Sequence, residues 1–201
     1  MRFMTRRHSI KLMAATVASF VLTPLSAQAF SKDEARSLVD KLVGEINSVI
    51  GSGKSENAMY KDFERIFARY SDTAYIAAYT LGNDGRTATA AQKRAYSEAF
   101  ETYVARKYGR RFREFIGGRL EVTGVKQVKK WYEVSAVAYL KGQSPFEVTF
   151  LVSDRSGGNK FFNLYIEGIN MLLTERTEIG SMLDKRRGDI DALVADLKNA
   201  G

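Results

Sequence analysis

The sequence predicts an α+β domain: N-terminal helices, a curved antiparallel sheet of four or five strands, then C-terminal helices. Three observations predict it. Apolar residues recur every three or four positions up to Gly117, alternate with polar ones from Gly118 to Glu167, and return to helical spacing from Met171 onward. With 45% hydrophobic and 11% aromatic residues, the chain has ample material for a core and is not of disordered composition.

Residues 1–29 read as an export signal and not as part of that fold. Arg2, Arg6, Arg7 and Lys11 form a basic start, residues 12–22 are uncharged and apolar, and Ala27-Gln28-Ala29 is a small-x-small cleavage pattern. Spanning a bilayer takes roughly 17–25 residues, so the run of 11 is a signal peptide cleaved after Ala29 and not an anchor. Thr5-Arg6-Arg7-His8-Ser9-Ile10-Lys11 also resembles a twin-arginine signal, with Ser9 where that pattern has a large apolar residue. The predicted mature chain, residues 30–201, is one domain beginning at Phe30. Cleavage removes four of the 31 basic residues and none of the 23 acidic ones, leaving 27 against 23.

Ser31 and Glu34 form a capping box, and Leu38, Val39, Leu42, Ile46, Val49 and Ile50 then mark one face of a helix over 32–50, stopped by Gly51. Ser55 is the expected cap of a second helix carrying Met59, Phe63, Ile66, Phe67 and Tyr70. Ser71-Asp72 opens a third, through Tyr75, Ile76 and Tyr79 to Gly82, and residues 82–85 form a loop. Thr89 and Gln92 make another capping box, after which Tyr96, Phe100, Val104, Tyr108, Phe112 and Phe115 line the longest helix.

Beyond Gly118, segments 119–128, 130–141, 146–153 and 160–167 are rich in Val, Phe and Tyr and separated by turn residues, the pattern of a meander. Tyr132, Val134, Ala136, Ala138 and Leu140 share one face of the second strand; Phe146, Val148, Phe150 and Val152 share one of the third; Phe162, Leu164 and Ile166 share one of the fourth. Segments 171–187 and 189–197, divided by Gly188, close the chain as helices.

The residues absent from the predicted mature chain exclude whole classes of chemistry. It has no Cys, and His8, the one histidine, lies in the signal. Disulfides, Ser-His-Asp and Cys-His catalysis, His-bound zinc and His-ligated haem are therefore excluded, and the expectation is a non-enzyme without cofactor. Asp33-Glu34, Asp189 and Asp191 lie at helix starts, where acids complement the dipole. Gly51-Ser52-Gly53, Gly117-Gly118 and Gly157-Gly158 lack the spacing of a phosphate loop and read as turns. Nine basic residues, among them Arg106, Arg110, Arg111 and Arg113, fall between 106 and 130, against Glu114 and Glu121. They fit a solvated surface or a docking site for anionic headgroups or an acidic partner, Arg gripping phosphate through two donors. Nucleic acid is not expected, because the aromatics keep core spacing and an exported protein meets little of it.

The order of elements, Tyr79-Thr80-Leu81-Gly82, residues 87–108 reading TATAAQKRAYSEAFETYVARKY, and Ile166-Glu167-Gly168-Ile169-Asn170-Met171-Leu172 together resemble the MlaC family, over about residues 30–199. These are periplasmic phospholipid carriers, also known as toluene-tolerance auxiliary proteins. Asn163 departs from the family pattern, which often has Asp there. The resemblance implies a nuclear-transport-factor-like cone with an apolar cavity between sheet and helices, holding phospholipid as cargo. It further implies a monomer that exchanges lipid between an outer-membrane lipoprotein complex and an inner-membrane ABC transporter complex, sustaining outer-membrane lipid asymmetry.

The expected lining is Tyr75, Tyr79, Phe100, Tyr103, Val104, Tyr108 and Phe115 from the helices. The sheet adds Val122, Val134, Ala136, Ala138, Phe146, Val148, Phe150, Phe162, Leu164 and Ile166, and the chain beyond it adds Ile169 and Leu172. On the residues alone, the same side chains fit a closed core. Alternatives within the same fold are a carrier of hopanoid or another apolar ligand, an interaction module, or a small enzyme.

Overall fold

The computed structural model describes residues 30–109 and 114–200. The predicted signal peptide and Arg110, Arg111 and Arg113 lie outside the described residues. Helices α1 (Lys32–Ile50), α2 (Glu56–Tyr70), α3 (Thr73–Leu81) and α4 (Ala90–Gly109) precede a sheet of β1 (Arg119–Val128), β2 (Trp131–Tyr139), β3 (Phe146–Ser153), β4 (Lys160–Ile166) and β5 (Ile169–Asn170); α5 (Met171–Lys185) and α6 (Ile190–Asn199) follow. The sheet is antiparallel throughout, its strands paired in chain order. The fold is the expected α+β arrangement, with the short fifth strand present.

Local sequence explains most element starts. Ser31 Oγ accepts the Glu34 N–H at 3.2 Å while Ser31 N–H donates to Glu34 Oε2 at 2.8 Å. Thr89 and Gln92 exchange the same pair of bonds at 3.0 and 3.2 Å. Ser55 differs from expectation: it precedes α2, but its side chain makes no capping hydrogen bond. The cap of α3 is Asp72, which accepts the Tyr75 N–H at 3.2 Å. In the loop after Gly82, Asp84–Arg86 forms a turn of 3-10 helix. The two-residue turn from β4 to β5, Glu167-Gly168, takes positive φ at both positions, as a tight hairpin requires.

Two register shifts bend the sheet and change which residues face inward. One lies between Val122 and Gly124 on β1, leaving Thr123 as an extra residue opposite β2. The other lies where Val152 pairs with Phe161 although Leu151 pairs with Asn163, so Phe162 is inserted. Paired residues share a face, so Phe161 joins Val152 and Phe150 on the inner side. Strict alternation assigned that place to Phe162. Phe161 accordingly packs against Phe150 at 5.8 Å and Phe67 at 5.9 Å between ring centroids. Phe162 instead meets Tyr75 at 5.7 Å and Trp131 at 6.1 Å.

α1 lies across β1 and β2 and is held to the sheet edge by one side chain. Asn47 donates through Nδ2 to Leu120 O and accepts Leu120 N–H at Oδ1, both at 2.9 Å, imitating a neighbouring strand. α2 and α6 pack on α4, α3 packs on α4 and α5, and α5 packs on β4. Between α3 and α4, Tyr96 OH and Thr80 Oγ1 share a buried hydrogen bond of 2.8 Å, and burial pushes the Tyr96 phenol far above its ordinary pKa.

Candidate functional site

The helices do not meet the sheet everywhere. Between helices α1 to α5 on one side and β3 and β4 on the other lies a cavity of about 330 Å³. That volume lies within the roughly 300–1,000 Å³ of small-molecule sites. Leu42 and Ile46 come from α1, Phe63, Ile66 and Phe67 from α2, and Phe100, Val104 and Tyr108 from α4. Phe146, Val148 and Phe150 line it from β3, Phe161, Leu164 and Ile166 from β4, and Leu172 from α5. The solvent-exposed residues bordering it, Glu114, Gln143 and Glu167, are polar and form its mouth. Greasy walls and a wet rim suit a molecule with one apolar end and one polar end.

Of the expected lining, Phe100, Val104, Tyr108, Phe115, Phe146, Val148, Phe150, Phe162, Leu164, Ile166 and Leu172 border this cavity. Eight residues sit elsewhere. Val134, Ala136 and Ala138 are wholly enclosed, because α1 closes directly over β1 and β2, and Val122 is half-buried against the same packed region. Tyr75 and Tyr79 lie outside the cavity, under cations: the Arg155 guanidinium is 4.3 Å from the Tyr75 ring and Arg176 is 5.1 Å from the Tyr79 ring. Tyr103 turns toward α5 and donates to Glu178 at 2.6 Å. Ile169, on β5, is 59% exposed.

Sequence reasoning missed the contributions of α1 and α2, whose apolar stripes carry no mark separating cavity wall from packed core. It noted Asn163 only as a departure from the family pattern, and it missed Glu175. Asn163, buried on β4, accepts Leu164 N–H at 2.8 Å and Leu172 N–H at 3.1 Å, and donates to Asn170 Oδ1 at 3.0 Å. It thereby ties the β4–β5 hairpin to the start of α5. Glu175 interrupts the stripe Leu172, Ile179 and Leu183, and that interruption was a readable signal.

Glu175 anchors a polar cluster between α4 and α5. Its Oε1 accepts from Lys107 Nζ at 2.8 Å and from Tyr108 OH. Lys107 also reaches Glu178 Oε2 at 2.5 Å and lies 5.4 Å from the Tyr103 ring centroid. Partial burial pushes the Glu178 pKa up, but the hydrogen bonds from Lys107 and Tyr103 and the Lys107 charge outweigh it and hold the carboxyl below its ordinary value. Burial, then the bond to Glu178, pushes the Tyr103 phenol well up.

Arg106, expected to dock headgroups or a partner, is engaged within the fold. Its guanidinium donates to Leu197 O at 2.6 Å and Lys198 O at 2.8 Å, serving the C-terminal carbonyls of α6.

The sequence profile of the family described as MlaC protein matches residues 36–199. The chain belongs to the MlaC family. A solved structure of similar fold is a phospholipid-binding protein from Ralstonia solanacearum, determined in complex with a phospholipid. It superposes with a TM-score of 0.70 at 16% identity, covering 82% of this chain and 95% of that one. As in that fold, helices flank an open antiparallel sheet on both sides in chain order. Among the described residues of this MlaC-family chain, no helix is long and apolar enough to cross a membrane.

Proposed function

We propose that this protein is a phospholipid-binding carrier of the periplasm, exported by residues 1–29 and matured at Phe30. The observation that carries this reading is the cavity, walled by aliphatic and aromatic side chains and opening past Glu114, Gln143 and Glu167. The phospholipid in the Ralstonia protein of the same fold supports it.

Each methylene moved into water costs about 0.8 kcal/mol, so a chain of roughly sixteen carbons costs on the order of 12 kcal/mol to expose. A carrier removes that barrier with walls about as apolar as the bilayer. Uptake and release are then nearly balanced, and a partner complex at either membrane biases the direction. The protein works as a monomer and leaves the lipid chemically unchanged. It exchanges lipid between an outer-membrane lipoprotein complex and an inner-membrane ABC transporter complex and so sustains lipid asymmetry. Arg110, Arg111 and Arg113, close in sequence to the mouth residue Glu114, serve the docking step.

Native mass spectrometry of the protein purified from the periplasm without detergent tests this. A mass beginning at Phe30 with a stoichiometric adduct that extracts as phospholipid is the expected result. A bare protein mass overturns the carrier reading.

A further inference from the structure

The basic residues that run together in sequence between 106 and 130 separate in the fold. Arg106 and Lys107 are engaged by α6 and α5, and Arg119 pairs with Glu121 over the Tyr139 ring. Lys126, Lys129 and Lys130 lie at the far end of β1, at the turn into β2. The mouth residues Glu114, Gln143 and Glu167 belong to the opposite end of the sheet, where β1 and β3 begin and β2 and β4 end. The 9 residues of β2 separate the two ends by roughly 26 Å.

Local geometry marks the far end as more than solvated surface. Val128 pairs with Trp131 across the two-residue turn Lys129-Lys130, and Lys129 takes φ 56°, a conformation that Gly or Asn adopts more easily. Trp131 meets Phe162 at 6.1 Å between ring centroids, and the Arg155 guanidinium lies 4.2 Å from the Phe162 ring and 4.3 Å from the Tyr75 ring. Arg155 Nε donates to Ser153 Oγ at 3.2 Å, while its two terminal nitrogens have no partner among the described residues. Stacking therefore holds a planar fork in place without using its outer donors. Lys126, Lys129 and Lys130 are exposed and, like Arg155, form no ion pair among the described residues. The acids next to them, Glu133 opposite Lys126 and Asp154 before Arg155, pair with none of the four, and Asp72 is occupied by the α3 cap and Ser156.

We propose that this end of the sheet is a docking surface for an acidic segment of a partner protein. Arg155 takes one carboxylate through both terminal nitrogens, and the lysine turn takes the carboxylates that flank it. Placement decides between a protein and a bilayer. A carrier lying on a membrane by this end points its mouth away from the lipids it exchanges, whereas a protein holding it here leaves the mouth free. That choice of partner rests on the carrier reading; the basic surface itself does not.

The test is fluorescence anisotropy of a labelled decaglutamate peptide titrated with the mature protein at low ionic strength. Wild-type binding that weakens as salt is raised is expected. The double variant Lys129→Glu/Lys130→Glu should bind roughly tenfold more weakly, the size of two exposed ion pairs lost. Arg155→Lys keeps the charge but not the fork and should also weaken binding. Both variants should keep their lipid in native mass spectra, since none of these residues borders the cavity. Carbodiimide coupling of the peptide to the wild type, mapped by mass spectrometry, needs no variant and should mark Lys126, Lys129 or Lys130. Absence of binding, coupling confined to other lysines, or unchanged affinity in either variant overturns the proposal. So does co-sedimentation with phosphatidylglycerol vesicles that the peptide fails to displace. A wild type that binds the peptide but carries no lipid overturns the carrier reading and leaves the docking surface standing.

Discussion

Val134 and Val148 make a matched pair for testing whether the cavity is a real space. Both are buried valines on the inner face of the sheet, at 0% and 6% exposure, in adjacent cross-strand rows: Val134 opposite Phe150, Val148 opposite Ala136 and Ile166. Val148 borders the cavity and Val134 does not. Replacing either by Phe preserves strand preference and adds four carbons. At Val134 those carbons have no room, and overpacking costs about 1–3 kcal/mol. At Val148 the ring enters the cavity and gains up to about 3 kcal/mol of burial. The two variants should therefore differ by roughly 1–6 kcal/mol, on the order of 10 °C in Tm for a chain of this length. Thermal unfolding of delipidated protein, followed by circular dichroism, measures the difference. Lipid retention supplies a second readout: folded Val148→Phe should lose its lipid, because the ring occupies the space. Equal destabilisation by the two substitutions would refute the placement of the cavity over β3.

Three further outcomes follow from the polar contacts. Asn163→Ala orphans the Leu164 and Leu172 N–H groups and should cost about 2–3 kcal/mol in urea unfolding; Asn163→Asp keeps both acceptor bonds and should cost less. Lys107→Met leaves the enclosed Glu175 carboxylate without its cation; Lys107 is itself partly exposed, so the expected loss is about 2–3 kcal/mol, below that of a fully buried pair, measured in the same assay. Glu178 has a folded pKa below its unfolded value, so its stabilisation is present above the ordinary carboxylate range and is lost as pH falls through the folded value. Unfolding midpoints measured from neutral pH down to acid should therefore drop less steeply for Glu178→Gln than for the wild type, and parallel slopes would contradict the assignment.

What could be read from sequence was what neighbours in the chain decide. Ser31 with Glu34 and Thr89 with Gln92 complete their capping boxes within one turn, and the strands alternate residue by residue, so helices, strands and their order were legible. Ser55 shows the limit of the same reasoning: a residue suited to capping stands at a helix start but makes no cap bond. The insertion of Phe162 was hidden for a different reason. A bulge is a property of two paired strands, and nothing in β4 alone tells that Phe161, and not Phe162, pairs with Val152. Arg106 likewise read as a free surface cation, because the carbonyls it serves lie 91 and 92 residues away in the chain.

The cavity depends on a still less local balance. Val134 and Val148 look alike in sequence, and what separates them is where α1 comes to rest. Asn47 holds α1 against the outer edge of β1 through both backbone groups of Leu120, bonds that an edge strand otherwise leaves to solvent. With α1 fixed there, Val134, Ala136 and Ala138 are sealed, and α1 contributes Leu42 and Ile46 to the cavity wall. The other enclosing helix side chains come from α2, α3, α4 and α5, and α5 in turn is tied to β4 by Asn163. Two amide side chains thus set the helix positions at opposite ends of the sheet. The space between those fixed points is what the apolar side chains line, and Glu175, one turn into α5, is placed at its wall by the same Asn163 contact.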